Sequence, residues 1–155
     1  MDTPEQFQLN QGIATEESLE LAKIELGKCY ERIIELIKKY MDMPEDQIKI
    51  IALWIIGTYF HSSFPSYPFL FLNAMRGSGK TRLLKIISHL AKGSNGNVQT
   101  GITEAVLFRL PSGTTLVLDE CESIGSKEKA ILREYLNACY KSGGVVQRMK
   151  KAHFK

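Results

Sequence analysis

The sequence predicts an α/β fold in which a parallel sheet is flanked by helices. Two short apolar runs, Phe69–Leu72 and Thr114–Leu118, have the length and composition of buried strands. Segments with the apolar spacing of helices lie before, between and after these two runs. Because strands that alternate with helices usually pair in parallel, we expect both runs in one sheet with their carboxyl ends at the same edge.

The first helix is predicted to begin after Thr15 and to continue to about Tyr40. Thr15 is a typical N-cap residue, and Glu16 and Glu17 place negative charge at the positive end of the helix dipole. Ser18 occupies the position where a capping box has Glu or Gln. Apolar residues recur at helical spacing on one face, namely Leu19, Ala22, Leu26, Tyr30, Ile33 and Ile37.

A second helix is predicted from Pro44 to Phe60, after a break at 41–44. Proline followed by acidic residues is typical of a helix start. The segment is apolar on most sides, so we expect a buried helix beside the sheet. It is too short and too interrupted for a membrane span.

The later elements are a loop at 61–68, a helix ending near Ala91, a turn at 93–97, a short strand at 98–100, a helix at 103–110, a turn at 111–113 and a helix after Ser126.

The first apolar run leads into a glycine-rich turn that has the residue pattern of a phosphate-binding loop. Its residues are Ala74, Met75, Arg76, Gly77, Ser78, Gly79, Lys80 and Thr81. Small residues let backbone N–H groups close around phosphate oxygens, and a following helix adds positive partial charge. Lys80 is predicted to reach the β- and γ-phosphates, and the Thr81 hydroxyl to hold Mg²⁺. Ala74 replaces the first glycine of the usual pattern, and we expect the loop to form nonetheless.

The second apolar run ends in an acidic pair, Asp119 and Glu120. This arrangement resembles a Walker B element, in which the aspartate belongs to the Mg²⁺ shell and the glutamate polarises the attacking water. Asp119 is therefore the predicted metal-side residue and Glu120 the predicted general base. A strand that simply ends in a solvated acidic turn is the alternative for this pair alone, and its combination with the upstream loop favours a nucleotide site.

Composition places the chain among proteins with a packed core. Its 155 residues are 44% hydrophobic and 24% charged, with a net charge of +3. This mild basicity is a weak indication of a nucleic-acid partner and no indication of a membrane. The N-terminal 20 residues lack the layout of a signal peptide, so we expect a cytoplasmic protein. Three cysteines match neither a zinc site nor a disulfide framework.

Beyond these motifs, the order of features resembles the AAA+ or additional-strand P-loop ATPases, and especially the helicase-like ATPases of phages, plasmids and archaeal mobile elements. The likeness covers about residues 45–150 and is carried by Ala52-Leu53-Trp54, Thr58, Gly77–Leu84, Thr103-Glu104-Ala105, Leu107-Phe108-Arg109, Leu118-Asp119-Glu120, Leu132-Arg133 and Leu136-Asn137. It implies a P-loop sheet, ATP and Mg²⁺ as ligands, DNA as a partner, and rings in which a neighbouring subunit supplies an arginine finger.

The resemblance also predicts the domain organisation. We expect a flexible N-terminus at 1–14, a helical segment at 15–62 and the N-terminal part of an ATPase core at 63–155. Relatives of this class continue with a sensor strand, a finger arginine and a helical lid, so the chain resembles a truncated ATPase. Its basic end, residues 148–155, is predicted to be a solvated terminus, with contact to nucleic acid as the alternative.

Three functions follow from these features. The leading hypothesis is an ATP-binding, Mg²⁺-dependent ATPase module of a DNA-replication or mobile-element helicase-like protein, whose turnover the truncation could abolish. The second is a nucleotide-dependent switch or assembly module that binds ATP without efficient turnover. The third is a small-molecule kinase, which an acidic pair closing the strand disfavours.

Overall fold

The computed structural model describes residues 15–100, 102–103, 106, 109–111, 113–120, 134, 136 and 138. Within residues 15–100 the chain forms three α-helices and one short 3₁₀-helix. Their bounds are Glu16–Tyr40 for α1, Glu45–Gly57 for α2, His61–Ser63 for the 3₁₀-helix and Lys80–Leu90 for α3. Among the described residues, no helix is long and apolar enough to cross a bilayer.

Helix α1 begins as predicted, with Thr15 as its N-cap. The Thr15 hydroxyl accepts a hydrogen bond from the Ser18 backbone N–H at 3.2 Å, and the Ser18 hydroxyl donates to the Thr15 carbonyl at 2.7 Å. Ser18 thus supports the cap by donating to the N-cap carbonyl, whereas a capping-box Glu would accept from the N-cap N–H. The helix ends at Tyr40, where the Met41 N–H still donates to the Ile37 carbonyl at 2.8 Å.

Only the C-terminal half of the predicted apolar stripe of α1 is packed. Ile37 is buried and Tyr30 and Ile33 are half-buried, whereas Leu19 and Leu26 are exposed. Ile34, which the predicted stripe did not include, is also buried. The helix is 25 residues long, and the partner helix α2 has only 13. The first turns of α1 therefore extend beyond the surface that α2 and α3 cover.

Helix α2 buries one stripe and not most of its surface, so that expectation is wrong. The buried residues are Ile48, Ile51, Ala52 and Ile55. Ile50 and Leu53 are both 59% exposed although they are apolar. The helix also ends at Gly57, three residues before the predicted Phe60.

The core lies between the three helices. It consists of Ile34, Ile37, Ile48, Ile51, Ala52, Ile55, Leu83, Leu84, Ile87, Ala91 and Val117. Two hydrogen bonds tie the end of α2 to the end of α3: the buried Thr58 hydroxyl accepts from the Lys92 N–H at 3.0 Å, and the Tyr59 hydroxyl donates to the Leu90 carbonyl at 2.9 Å. These contacts fix the direction of α3, and therefore the place of its N-terminus.

The predicted parallel sheet is wrong, because no β-strand is formed in the part of the chain that the structure describes. Phe69–Leu72 has the alternation of a strand, with Leu70 and Leu72 packed against the core and Phe71 80% exposed. Alternation alone does not make a strand, since a strand requires a backbone ladder with a neighbour. The run is not paired as a strand with another described segment.

One parallel bridge is all that remains of the expected sheet in the described residues. It joins Gln99 to Leu118. The Gln99 N–H donates to the Val117 carbonyl at 3.0 Å, and the Asp119 N–H donates to the Gln99 carbonyl at 2.8 Å. Left-handed residues at Gly93, Asn95 and Gly96 turn the chain just before this bridge.

Several expectations concern residues outside the described set. These are the flexible terminus at 1–14, the basic end at 148–155, most of the helix at 103–110 and most of the helix after Ser126, of which residues 134, 136 and 138 are described and are helical.

Candidate functional site

The glycine-rich turn forms a loop that ends at the first residue of α3. Gly77 has φ 83° and Gly79 has φ 89°, values in the left-handed region that glycine adopts without strain. The Ser78 N–H donates to the Met75 carbonyl at 3.2 Å, which closes a tight turn inside the loop. Gly79 is the N-cap of α3. The two glycines therefore direct the loop backbone into the helix.

The side chains at the start of the loop face solvent. Ala74, Arg76 and Ser78 are exposed, and Met75 is 86% exposed. The loop consequently has an open side that a ligand could enter.

The N-terminus of α3 adds donors and positive potential to this loop. The first bond of the helical ladder runs from the Leu83 N–H to the Gly79 carbonyl at 3.0 Å. The N–H groups of Thr81 and Arg82 thus precede the ladder and have no acceptor within the helix. Such N–H groups, together with the helix dipole, favour an anion at this end.

Asp119 lies against the same helix end. The Thr81 hydroxyl donates to Asp119 Oδ2 at 2.7 Å, although the two residues are 38 positions apart. Lys80 Nζ lies 3.5 Å from Asp119 Oδ1. Asp119 is only 7% exposed, and its backbone is held by the N–H that it donates to Gln99. A cation, a hydroxyl and a buried carboxylate therefore meet at the mouth of the loop.

The surroundings of Asp119 keep it ionised. The Thr81 hydrogen bond is the main cause that lowers the pKa of the carboxyl, and burial opposes it. The Glu120 N–H and the Lys80 ammonium lower this pKa further. The carboxylate is thus negatively charged at neutral pH, as an oxygen ligand for a hard cation must be.

Glu120 has an unusual backbone conformation beside this carboxylate. Its φ is 58°, and its N–H donates to Asp119 Oδ1 at 3.0 Å. A non-glycine residue with positive φ is strained by about 1–3 kcal/mol and persists when its surroundings enforce it. The bond to Asp119 is such a constraint. Glu120 itself is exposed, so its side chain lies at the rim of the site.

All predicted site residues from Ala74 to Thr81, with Asp119 and Glu120, line one cleft of about 1030 Å³. A volume near 1000 Å³ is at the upper end of the range for small-molecule sites. The cleft has a further wall that the sequence reasoning missed, formed by Tyr40, Met41 and Asp42 between α1 and α2. In the sequence this segment appears only as a break before Pro44, and no motif marks it as part of a site.

The oxygen donors of the cleft suit Mg²⁺ better than a softer metal. Thr81 and Asp119 provide a hydroxyl and a carboxylate, and Mg²⁺ typically uses one or two such groups with phosphate oxygens and waters. No group of three or more His, Cys, Asp or Glu side chains within the described residues could hold a metal ion. The described donors, Thr81 and Asp119, therefore fit an ion that arrives with a phosphate ligand.

Comparisons of the chain with protein-family models, curated proteins and solved structures gave no match. The functional interpretation consequently depends on the geometry of the cleft and on the residues that form it.

Proposed function

We propose that the chain binds ATP with Mg²⁺ in this cleft and is the ATPase module of a helicase-like protein. The observation that carries the proposal is the hydrogen bond between Thr81 and Asp119. It brings the helix N-terminus after a glycine-rich loop to a buried, ionised aspartate, which is the combination that a Mg²⁺-bound phosphate requires.

Each group has a distinct role in this proposal. The loop backbone and the N–H groups at the start of α3 bind phosphate oxygens. Lys80, at the edge of the loop, neutralises phosphate charge, and Thr81 and Asp119 hold the cation. The bound ion would supply charge neutralisation and polarisation of the phosphoryl group. Because Lys80 lies 3.5 Å from Asp119, a phosphate and a cation would compete with this ion pair.

Hydrolysis is assigned to Glu120 as the base that accepts a proton from water. Glu120 follows Asp119 directly, and their hydrogen bond fixes the backbone between them. The association with DNA and the ring assembly rest on the family resemblance of the sequence, with mild basicity as a weak indication of the DNA partner, and the cytoplasmic location rests on the layout of the N-terminal residues.

A nucleotide-dependent switch is the second candidate, and the exposure of Glu120 favours it. A general base is most effective in a site from which bulk water is excluded, whereas Glu120 lies in contact with solvent. In a switch, nucleotide would displace the contact of Lys80 with Asp119 and change the cleft without useful turnover.

The proposal is tested by measuring Mg²⁺-dependent ATP binding and phosphate release, with and without single-stranded DNA. Lys80→Ala should abolish binding or turnover. Lys85→Ala is the matched control, because Lys85 is an exposed lysine of the same helix that does not line the cleft. Equal affinity and turnover in Lys80→Ala and the wild type would refute the assignment. Tight binding with negligible phosphate release, unchanged by DNA, would select the switch.

A further inference from the structure

One side chain of the segment between α1 and α2, that of Met41, lies beside the phosphate-binding loop. A β-carbon built on Gly79 would lie 3.1 Å from Met41 Cε and 3.7 Å from Met41 Sδ. The methyl group of Met41 therefore lies directly beside the last glycine of the loop. Gly79 is also the N-cap of α3, so this contact is made where the loop becomes the helix.

Met41 is itself held in place from two sides. Its N–H donates to the Ile37 carbonyl at 2.8 Å, which fixes its backbone at the end of α1. Its side chain is half-buried and packs against the core. A flexible thioether fills irregular gaps well, and here it joins the core to the loop.

We infer that Met41 is a positioning residue for the phosphate-binding loop, and this inference rests on the proposed function. Its side chain supports Gly79 in the left-handed conformation that directs the loop N–H groups toward phosphate. Without this support, Gly79 has room to move toward α1, and the donors lose their alignment. Met41 does not contact the phosphate; it acts through Gly79.

Met43 provides a matched control. It is a half-buried methionine two residues away that packs against the same core, and it is not among the residues that line the cleft. Truncation of either methionine removes similar packing, so both alanine variants should melt at lower temperature than the wild type. Only the variant at Met41 should lose affinity.

The first experiment measures the Kd for MgATP at a temperature where all variants are folded. We expect Met41→Ala to bind MgATP roughly tenfold more weakly, because a substitution that displaces binding groups is costly even when the substituted residue does not contact the ligand. Met41→Leu conserves volume and should restore Kd to within about twofold of the wild type. Met43→Ala should also stay within about twofold of the wild type. Equal weakening in the two alanine variants, or none in Met41→Ala, would overturn the inference.

A second experiment detects the contact between Met41 and the loop in the wild-type protein by NMR. With methionine methyl groups labelled with ¹³C, addition of MgATP should shift the Met41 resonance along the same saturation curve as that of Met75 in the loop. The Met43 resonance should not move. A stationary Met41 signal beside a moving Met75 signal would overturn the inference and leave the proposed function standing. If the wild type binds no MgATP at all, the proposed function fails, and the inference fails with it.

Discussion

The Thr81 hydroxyl and Asp119 Oδ2, 2.7 Å apart, are the closest link between the two halves of the candidate site. Thr81 belongs to the first turn of α3, and Asp119 follows the parallel bridge between Gln99 and Leu118. Because Asp119 is buried and charged, the hydroxyl compensates for part of the hydration that the carboxylate loses. The same bond therefore contributes to stability and to the shape of the site.

Replacement of Thr81 by Val should destabilise the protein and weaken MgATP binding. The variant keeps the shape of the side chain but removes a hydrogen bond to a charged acceptor, which typically contributes about 1.5–3 kcal/mol. Urea unfolding gives the loss of stability. Combining Thr81→Val with Asp119→Asn in a double-mutant cycle should give a coupling energy of about 1 kcal/mol or more.

The control for this cycle is Thr114→Val. The Thr114 hydroxyl donates to the Pro111 carbonyl at 2.7 Å within a local turn, outside the cleft. Removal of this hydroxyl should lower the free energy of unfolding by about 1 kcal/mol or less and leave the affinity for MgATP unchanged. Strict additivity of Thr81→Val and Asp119→Asn would contradict a direct interaction between the two side chains.

The stability of the protein should depend on the ionisation of Asp119 at acid pH. The pKa of Asp119 is lowered in the folded state, chiefly by the Thr81 hydrogen bond. A lowered pKa means that the unfolded chain binds the proton more tightly. The stabilisation is therefore complete above the unfolded pKa near 4 and is lost as the pH falls through the lower folded pKa.

This dependence is measured by urea unfolding between pH 7 and pH 2. The free energy of unfolding of the wild type should fall more steeply below about pH 4 than that of Asp119→Asn. Asp42→Asn is the control for the loss of one acidic group, because Asp42 is an exposed carboxyl that also lines the cleft. A profile of Asp119→Asn that matches that of the wild type would show that Asp119 does not contribute.

Replacement of Glu120 by Gln should block ATP hydrolysis and preserve ATP binding. The amide retains the size of the side chain but cannot accept a proton from water. We expect turnover to fall by roughly 10²–10⁴-fold while Kd stays within about twofold. Glu35→Gln, at an exposed site on α1, should leave both quantities unchanged. Turnover equal to that of the wild type would exclude Glu120 as the base.

The parts of the fold that were predicted well are those that depend on residues near one another in the sequence. The N-cap at Thr15 follows from side-chain chemistry within the first turn, and the ends of α1 and α3 lie close to the residues that the local sequence predicts. The capacity of the loop glycines for this conformation is equally local, since their lack of a β-carbon permits Gly77 and Gly79 to adopt positive φ.

The sheet could not be predicted in the same way. The alternation of side chains in a run such as Phe69–Leu72 can be seen in the run itself, but whether the run pairs as a strand depends on a segment distant in the sequence. The same limit applies to the site. The segment at 40–42 reaches the cleft only because α1 and α2 pack together, and the contact of Met41 with Gly79 leaves no pattern in the sequence.

Two glycines in helices should respond to alanine in opposite directions. A β-carbon at Gly27, inside α1, would meet no atom within 4 Å. Alanine restricts the unfolded chain and suits a helix better, so Gly27→Ala should stabilise the protein by about 0.5–1 kcal/mol.

At Gly57, the last residue of α2, a β-carbon would overlap the Tyr67 hydroxyl. That hydroxyl donates to the Trp54 carbonyl at 2.5 Å, and the Trp54 indole N–H donates to the Pro68 carbonyl at 2.8 Å. Gly57→Ala should displace Tyr67 and break its bond, at a cost of about 1–3 kcal/mol that exceeds the gain in helix propensity.

Thermal and urea unfolding of Gly27→Ala and Gly57→Ala provide the comparison. The double variant Gly57→Ala with Tyr67→Phe should recover part of the lost stability, because phenylalanine lacks the hydroxyl that the added methyl group would overlap. If Gly57→Ala were as stabilising as Gly27→Ala, Tyr67 would not be packed against the end of α2.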